Sequence, residues 1–85
     1  MREILYTSQF KKDCKGMQKT AKLRRVIKKL AAGEKLDKTY RDHKLKGRWN
    51  KHRECHISGD CLLIYRMTHN QLILERVGTH SELFG

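Results

Sequence analysis

The chain has 85 residues and a formal net charge of +11, from 20 Lys and Arg against 9 Asp and Glu. A domain of this length buries only about 60–65% of its unfolded surface, and so large an excess of charge attracts polyanions and repels a second copy of the same molecule. No apolar run reaches membrane-spanning length, MREILYTSQF lacks the apolar core of a secretory signal, and no basic helix keeps exposed apolar anchors for a bilayer; a soluble, cytoplasmic protein with no membrane role is expected.

With no Pro, six Gly and no repeat or low-complexity tract, residues 1–85 are expected to form one domain of closely joined elements. Glu3–Thr7, carrying Ile4, Leu5 and Tyr6, reads as a short strand. Ser8 is placed to cap a helix to about Lys15, with Phe10, Cys14 and Met17 on one face and Gly16 interrupting or ending it. Thr20 begins a clearer helix, in which Leu23, Val26, Ile27 and Leu30 form an apolar stripe. Lys22, Arg25, Lys28 and Lys29 make its solvated face, and Gly33 sits where a C-terminal cap belongs. Glu34–Gly47 reads as loop.

The second half alternates. Trp49–Ile57 is expected to be a strand, with Trp49, Cys55 and Ile57 of one parity and Asn50, His52, Glu54 and His56 of the other. Ser58-Gly59-Asp60 is a turn, Cys61–Met67 a central strand covered on both faces, His69-Asn70 a turn, and Gln71–Val77 the last strand. The order β-α-α-β-β-β predicts an α+β fold. Its small sheet is antiparallel where hairpins join the strands, both helices pack on one face, and polar residues gather on the other.

Cys14, Cys55 and Cys61 are an odd count without an export signal, so reduced thiols are expected. Cys55, His56 and Cys61, with His52 nearby, approach a zinc set. There is no Cys-x-x-Cys and no His pair on one helical face, so neither a metal nor another cofactor is expected.

The stretch from Arg41 to Asp60, RDHKLKGRWNKHRECHISGD, holds three His, six Lys or Arg and three acids around the single Trp49. Together with Arg76, His80 and Phe84 near the C-terminus, these residue types fit metal-free RNA cleavage. In that reaction the 2′-hydroxyl attacks the adjacent phosphorus and expels the 5′-oxygen. Histidine can take or give the proton because its unperturbed pKa, about 6.5, lies near working pH. Lys and Arg stabilise the developing phosphorane charge, and an aromatic ring stacks on an unpaired base. A non-catalytic RNA- or ribosome-binding module needs the same charge and fold without proton carriers.

The segments YRDHKLKGRW, RECHISGDCLLIY and ERVGTHSELF, about half the chain, resemble the RelE-type toxins of bacterial toxin–antitoxin pairs, and most closely the YafQ branch. The resemblance implies a ribosome-dependent endoribonuclease that cuts messenger RNA in the ribosomal A site. It carries family positions onto His43, His56, Asp60, Arg76, His80 and Phe84. His80 is then the general acid, and Asp60 and His56 are both candidates for the base. His43 positions the phosphate or assists proton transfer, and Phe84 holds a base or shapes the cleft. Lys44, Lys46 and Arg53, with Arg76, are expected to hold phosphates of messenger or ribosomal RNA. The resemblance also implies a cognate antitoxin, commonly in complexes of two toxins and two antitoxins that meet operator DNA only through the antitoxin; alone, the toxin is expected to be monomeric. The toxin for which the branch is named carries Trp where this chain has Cys61, which bears on codon preference. Arg53 and His56 have opposite parity, so they reach one cleft only through a bulge or a strand end.

Overall fold

Residues 1–15 and 21–85 are described by a computed structural model of the chain. The expectations for Gly16, Met17 and Thr20 lie outside them. β1 (Glu3–Tyr6) leads into α1 (Ser8–Lys15), and α2 (Ala21–Ala31) follows. Thr7, not Ser8, caps α1. Its hydroxyl accepts the Phe10 N–H at 3.0 Å and donates to the Glu75 carbonyl at 2.9 Å, tying the helix start to the sheet. Along α2 the predicted stripe is buried, joined by Ala31. Gly33, at φ +79°, closes that helix with the Schellman pair: its N–H donates to Leu30 at 3.1 Å and Glu34 N–H donates to Lys29 at 3.0 Å.

The segment expected as loop contains a 3-10 turn at Lys38–Tyr40 and a two-residue strand, β2 (His43–Lys44). The strand expected from Trp49 starts only at Arg53. Gly47, at φ +69°, opens a 3-10 turn through Trp49, and the Asn50 and His52 amides donate back to Gly47 and Trp49 at 3.0 and 2.8 Å. That turn breaks the alternation, so Trp49 packs on the opposite side of the sheet from Cys55 and Ile57. β3 (Arg53–Ser58), β4 (Cys61–Met67) and β5 (Gln71–Thr79) form a meander, with β5 two residues longer than expected. A short helix that the sequence reading did not foresee, α3 (His80–Phe84), follows.

Among the described residues the sheet has five strands in the order β1-β5-β4-β3-β2. Strands joined by hairpins are antiparallel, as expected; β1 arrives by way of the helices and lies parallel to β5, so the sheet is mixed. Where β1 stops, α1 takes over the edge of β5, and the Asp13 carboxylate accepts the Val77 N–H at 3.1 Å. The main core lies between helices and sheet, around Phe10, Leu23, Val26, Leu63, Tyr65 and Leu74. A smaller cluster of Leu62, Ile64 and Leu83, closed by Leu45 and Trp49, lies on the other face. No helix among the described residues is long and apolar enough to cross a membrane.

Candidate active site

Cross-strand partners share a face of the sheet, so the register shows which side chains meet. On the face without the N-terminal helices, one row runs His43, Glu54, Ile64, Arg76 across β2 to β5, and the next runs His56, Leu62, Gly78. Beyond it Cys61 pairs with Thr79, so Asp60, just before, and His80, just after, start from adjacent backbone at the same end of the sheet. With strands about 4.8 Å apart, His56 lies roughly 10 Å across the sheet from the start of α3.

The C-terminal segment reaches this face by a sharp return. Gly78 has φ +159°, and a Cβ there would stand 3.1 Å from Glu82 Oε1 and 3.6 Å from Leu83 Cδ2. Its absence lets α3 fold back closely. Thr79 and Glu82 form a capping box: Glu82 N–H donates to Thr79 Oγ1 at 3.2 Å, and Thr79 N–H donates to Glu82 Oε1 at 2.8 Å. Those bonds hold the Glu82 carboxyl below its ordinary range. Leu83 plugs into the small cluster, which leaves His80 exposed with its ring 5.0 Å from that of Phe84, itself partly exposed.

Glu54 joins two of the histidines. Its carboxylate, only 8% exposed, lies 3.6 Å from His43 Nε2 and 3.8 Å from His56 Nε2, ion pairs whenever the rings are protonated. His43 Nδ1 donates to the Arg41 carbonyl at 2.7 Å, which leaves Nε2 to face the acid. The backbone that delivers His43 is unusual, because Arg41 takes the left-handed conformation at φ 50°, costing about 1–2 kcal/mol. Asp42 anchors it from the helix-covered side of the sheet. Tyr65 Oη donates to the Asp42 carboxylate at 2.8 Å and Arg53 Nε donates to it at 3.0 Å. Burial, reinforced by Asp42, pushes the Tyr65 hydroxyl far above its usual range, so it stays a donor. Tyr65→Phe is expected to cost about 1.5–3 kcal/mol, read from urea midpoints, and to slow any reaction that uses His43 severalfold.

Not every expected residue joins this face. Lys44, Arg53 and Tyr65 share a row on the opposite side, and Arg53 is committed to Asp42. A register shift does occur in β3, but between His56 and Ser58, too late to bring Arg53 round. His56 itself is half-exposed on the open face, and Lys46 is exposed in the loop after β2. Arg76 is on the open face with its fork occupied: Nε and Nη2 donate to Asp13 at 2.9 and 3.1 Å. The sheet separates the residues of the zinc reading, with Cys55 and Cys61 packed toward the helices and His56 on the other side. Burial raises both thiols, which keeps them protonated and poor as nucleophiles.

Residues 2–85 match the family described as bacterial toxin of type II toxin-antitoxin system, YafQ. The chain belongs to the YafQ family. It is 39% identical over 89 residues to the mRNA interferase toxin YafQ of Escherichia coli K12, across 99% of this chain and 97% of that one. The crystal structure of YafQ from E. coli BL21(DE3) superposes with a TM-score of 0.93 at 37% identity, covering 100% of both chains. A YafQ structure from the E. coli DinJ-YafQ toxin-antitoxin complex gives 0.90 at 38% identity, covering 99% of this chain and 98% of that one.

Several residues that shape this face of the YafQ-family toxin carry little signature in the sequence. Glu54 was visible only as a polar member of the alternation, although its parity with His56 placed it on the same face. The string Thr79-His-Ser-Glu82 is a capping-box signature and was the available signal for α3. Asp13 and Asp42 gave none, since their partners lie 63 and 23 residues away.

Proposed function

We propose that this toxin cuts messenger RNA in the ribosomal A site by metal-free acid–base catalysis. Membership of the YafQ family carries the coarser statement: the chain is an mRNA interferase toxin, an endoribonuclease of a type II toxin–antitoxin system. The reading of the mechanism is supported above all by the common location of His56, Asp60 and His80 at one end of the sheet, with Phe84 against His80. In the step proposed, His56 or Asp60 takes the 2′-hydroxyl proton and the 2′-oxygen bonds to the adjacent phosphorus. The bond to the 5′-oxygen breaks, and His80 protonates that oxygen. The products are a 2′,3′-cyclic phosphate and a 5′-hydroxyl.

His43, steadied by Glu54, faces the phosphate from the next row. Arg76, clamped by Asp13, presents a guanidinium of fixed orientation, Phe84 holds a base beside the acid, and Lys46 with Lys44 on the edge strand holds phosphates of messenger or ribosomal RNA. Arg53, neutralised by Asp42 on the far face, makes no phosphate contact in this reading. The toxin works in the cytoplasm, where ribosomes are, and is monomeric when free. Its partner is an acidic or partly disordered antitoxin, two of each chain per complex, that meets operator DNA on the pair's behalf. The DinJ-YafQ complexes of relatives support an antitoxin as the partner.

The test is end-mapping of a translated messenger incubated with the toxin, with and without ribosomes. Codon-aligned cuts that require ribosomes are the expected result. Binding without cutting, by a folded protein, would instead make it a non-catalytic RNA- or ribosome-binding module.

A further inference from the structure

Beside α3 lies a cleft of 210 Å³ lined by Arg48, Trp49, Leu83 and Phe84. This is below the roughly 300 Å³ at which pockets for drug-sized ligands begin, and it suits one flat ring. We infer that this cleft is a subsite for a single unpaired nucleobase of the messenger next to the scissile phosphate, with Trp49 and Arg48 as its stacking platform. The inference rests on the RNA-cutting reading above and adds where the substrate base goes.

Three observations carry it. The first is position. Phe84 forms one wall and also meets the His80 ring at 5.0 Å, so the cleft borders the proposed general acid. The second is chemistry. An indole, a phenyl ring and an exposed guanidinium are the side chains on which bases stack, and a net charge of +11 draws the polyanion in.

The third is the fixing of the indole. Trp49 is only partly buried, yet it is held from behind. His52 meets it edge-to-face at 5.1 Å and 88°, while His52 Nε2 lies 3.5 Å from Glu75, the residue skipped by the register shift between β4 and β5. His52 Nδ1 is buried and has no hydrogen-bond partner among the described residues. His52 has no duty in the proposed acid–base reaction. Holding the Trp49 ring in one plane gives it one, as a positioning residue.

The test uses programmed ribosomes and messengers carrying an abasic residue at each position flanking the cut, in single turnover. One abasic messenger is expected to be cut about 5- to 150-fold more slowly by the unaltered toxin, the range that stacking of about 1–3 kcal/mol gives at tenfold per 1.4 kcal/mol. Trp49→Leu should slow the normal messenger by a similar factor and be indifferent to that abasic residue. Arg48→Ala, at an exposed position where folding is not at stake, should show part of both effects. Equal abasic penalties in the toxin and its variants overturn the subsite. So does loss of ribosome affinity in Trp49→Leu with no abasic effect, which assigns the cleft to ribosomal RNA. A toxin that cuts every abasic messenger normally also removes the subsite and leaves the cutting reading intact; one that cuts nothing removes both. Trp49 is the only tryptophan of the chain, so its emission reports the cleft directly. With the free toxin, a short uncleavable RNA is expected to quench it more than the same RNA made abasic, and equal quenching overturns the assignment.

Discussion

His80→Ala is expected to lower the single-turnover rate of messenger cutting by about 10²–10⁴-fold, the usual contribution of a positioned proton donor, while ribosome affinity is kept. Stability should change by less than about 0.5 kcal/mol, because an exposed first residue of a helix held by a capping box and by Leu83 contributes little packing. A decisive version replaces the 5′-oxygen at the cut site by sulfur. A thiolate, with a pKa near 8.5, leaves without the help of an acid. The variant should therefore cut that messenger nearly as fast as the unaltered toxin. If the variant is equally slow on both messengers, His80 has some other task and the proton donor must be sought elsewhere.

Asp13→Ala has the largest expected effect on stability. One carboxylate, 10% exposed, accepts from Arg76 twice and from the Val77 amide, closing the part of β5 that β1 does not reach. Removing it strands a guanidinium and a backbone N–H. Breaking a buried pair in this way costs about 3–5 kcal/mol; Arg76 keeps about a quarter of its side chain exposed, which lowers the expectation to about 2–4 kcal/mol.

The pH dependence follows. Burial opposes ionisation of Asp13, but the hydrogen bonds from Arg76, Val77 and Gln9 outweigh it and hold the carboxyl below its ordinary value. A carboxyl lowered on folding contributes stability that is fully present above the unfolded pKa, near 3.9, and is lost as pH falls through the folded value. Urea midpoints for the unaltered toxin should thus fall more steeply between pH 5 and pH 2 than those of Asp13→Asn. Parallel acid limbs in the two proteins would show that the clamp is not what titrates.

The elements that were legible in the sequence are those whose cause is local. The α2 stripe at Leu23, Val26, Ile27 and Leu30, its Gly33 cap and the hairpins through Gly59 and Asn70 follow from periodicity and turn chemistry. The reading failed where a short-range device interrupts a period. Gly47 starts a turn that moves Trp49 to the other face, so the alternation drawn through Trp49, Cys55 and Ile57 joined residues that the sheet keeps apart. Two residues of β2 and five of α3 are too few to show a period. Of the site, the types were legible but the faces were not. His43, His56, Arg76 and His80 share a surface because of register, whereas Lys44 and Arg53, equally basic and equally near in sequence, fall behind it. Contacts such as Asp13 to Arg76 depend on where α1 lies against β5, which no local pattern states.

The parallel pairing of β1 with β5 also bears on the order in which the molecule assembles. Glu3 and Gln71 stand 68 residues apart and only four pairs join the two strands, so that closure carries a large entropic cost and little reward of its own. The β3–β4–β5 meander closes loops of a few residues and has no such delay. The N-terminal strand is therefore expected to be the last to zip and the first to fray, with faster amide exchange at Ile4 and Leu5 than at Leu63 as the check. The open face draws its histidines from β2, β3 and α3, none of which pairs with β1, so release of β1 alone is expected to leave that surface standing.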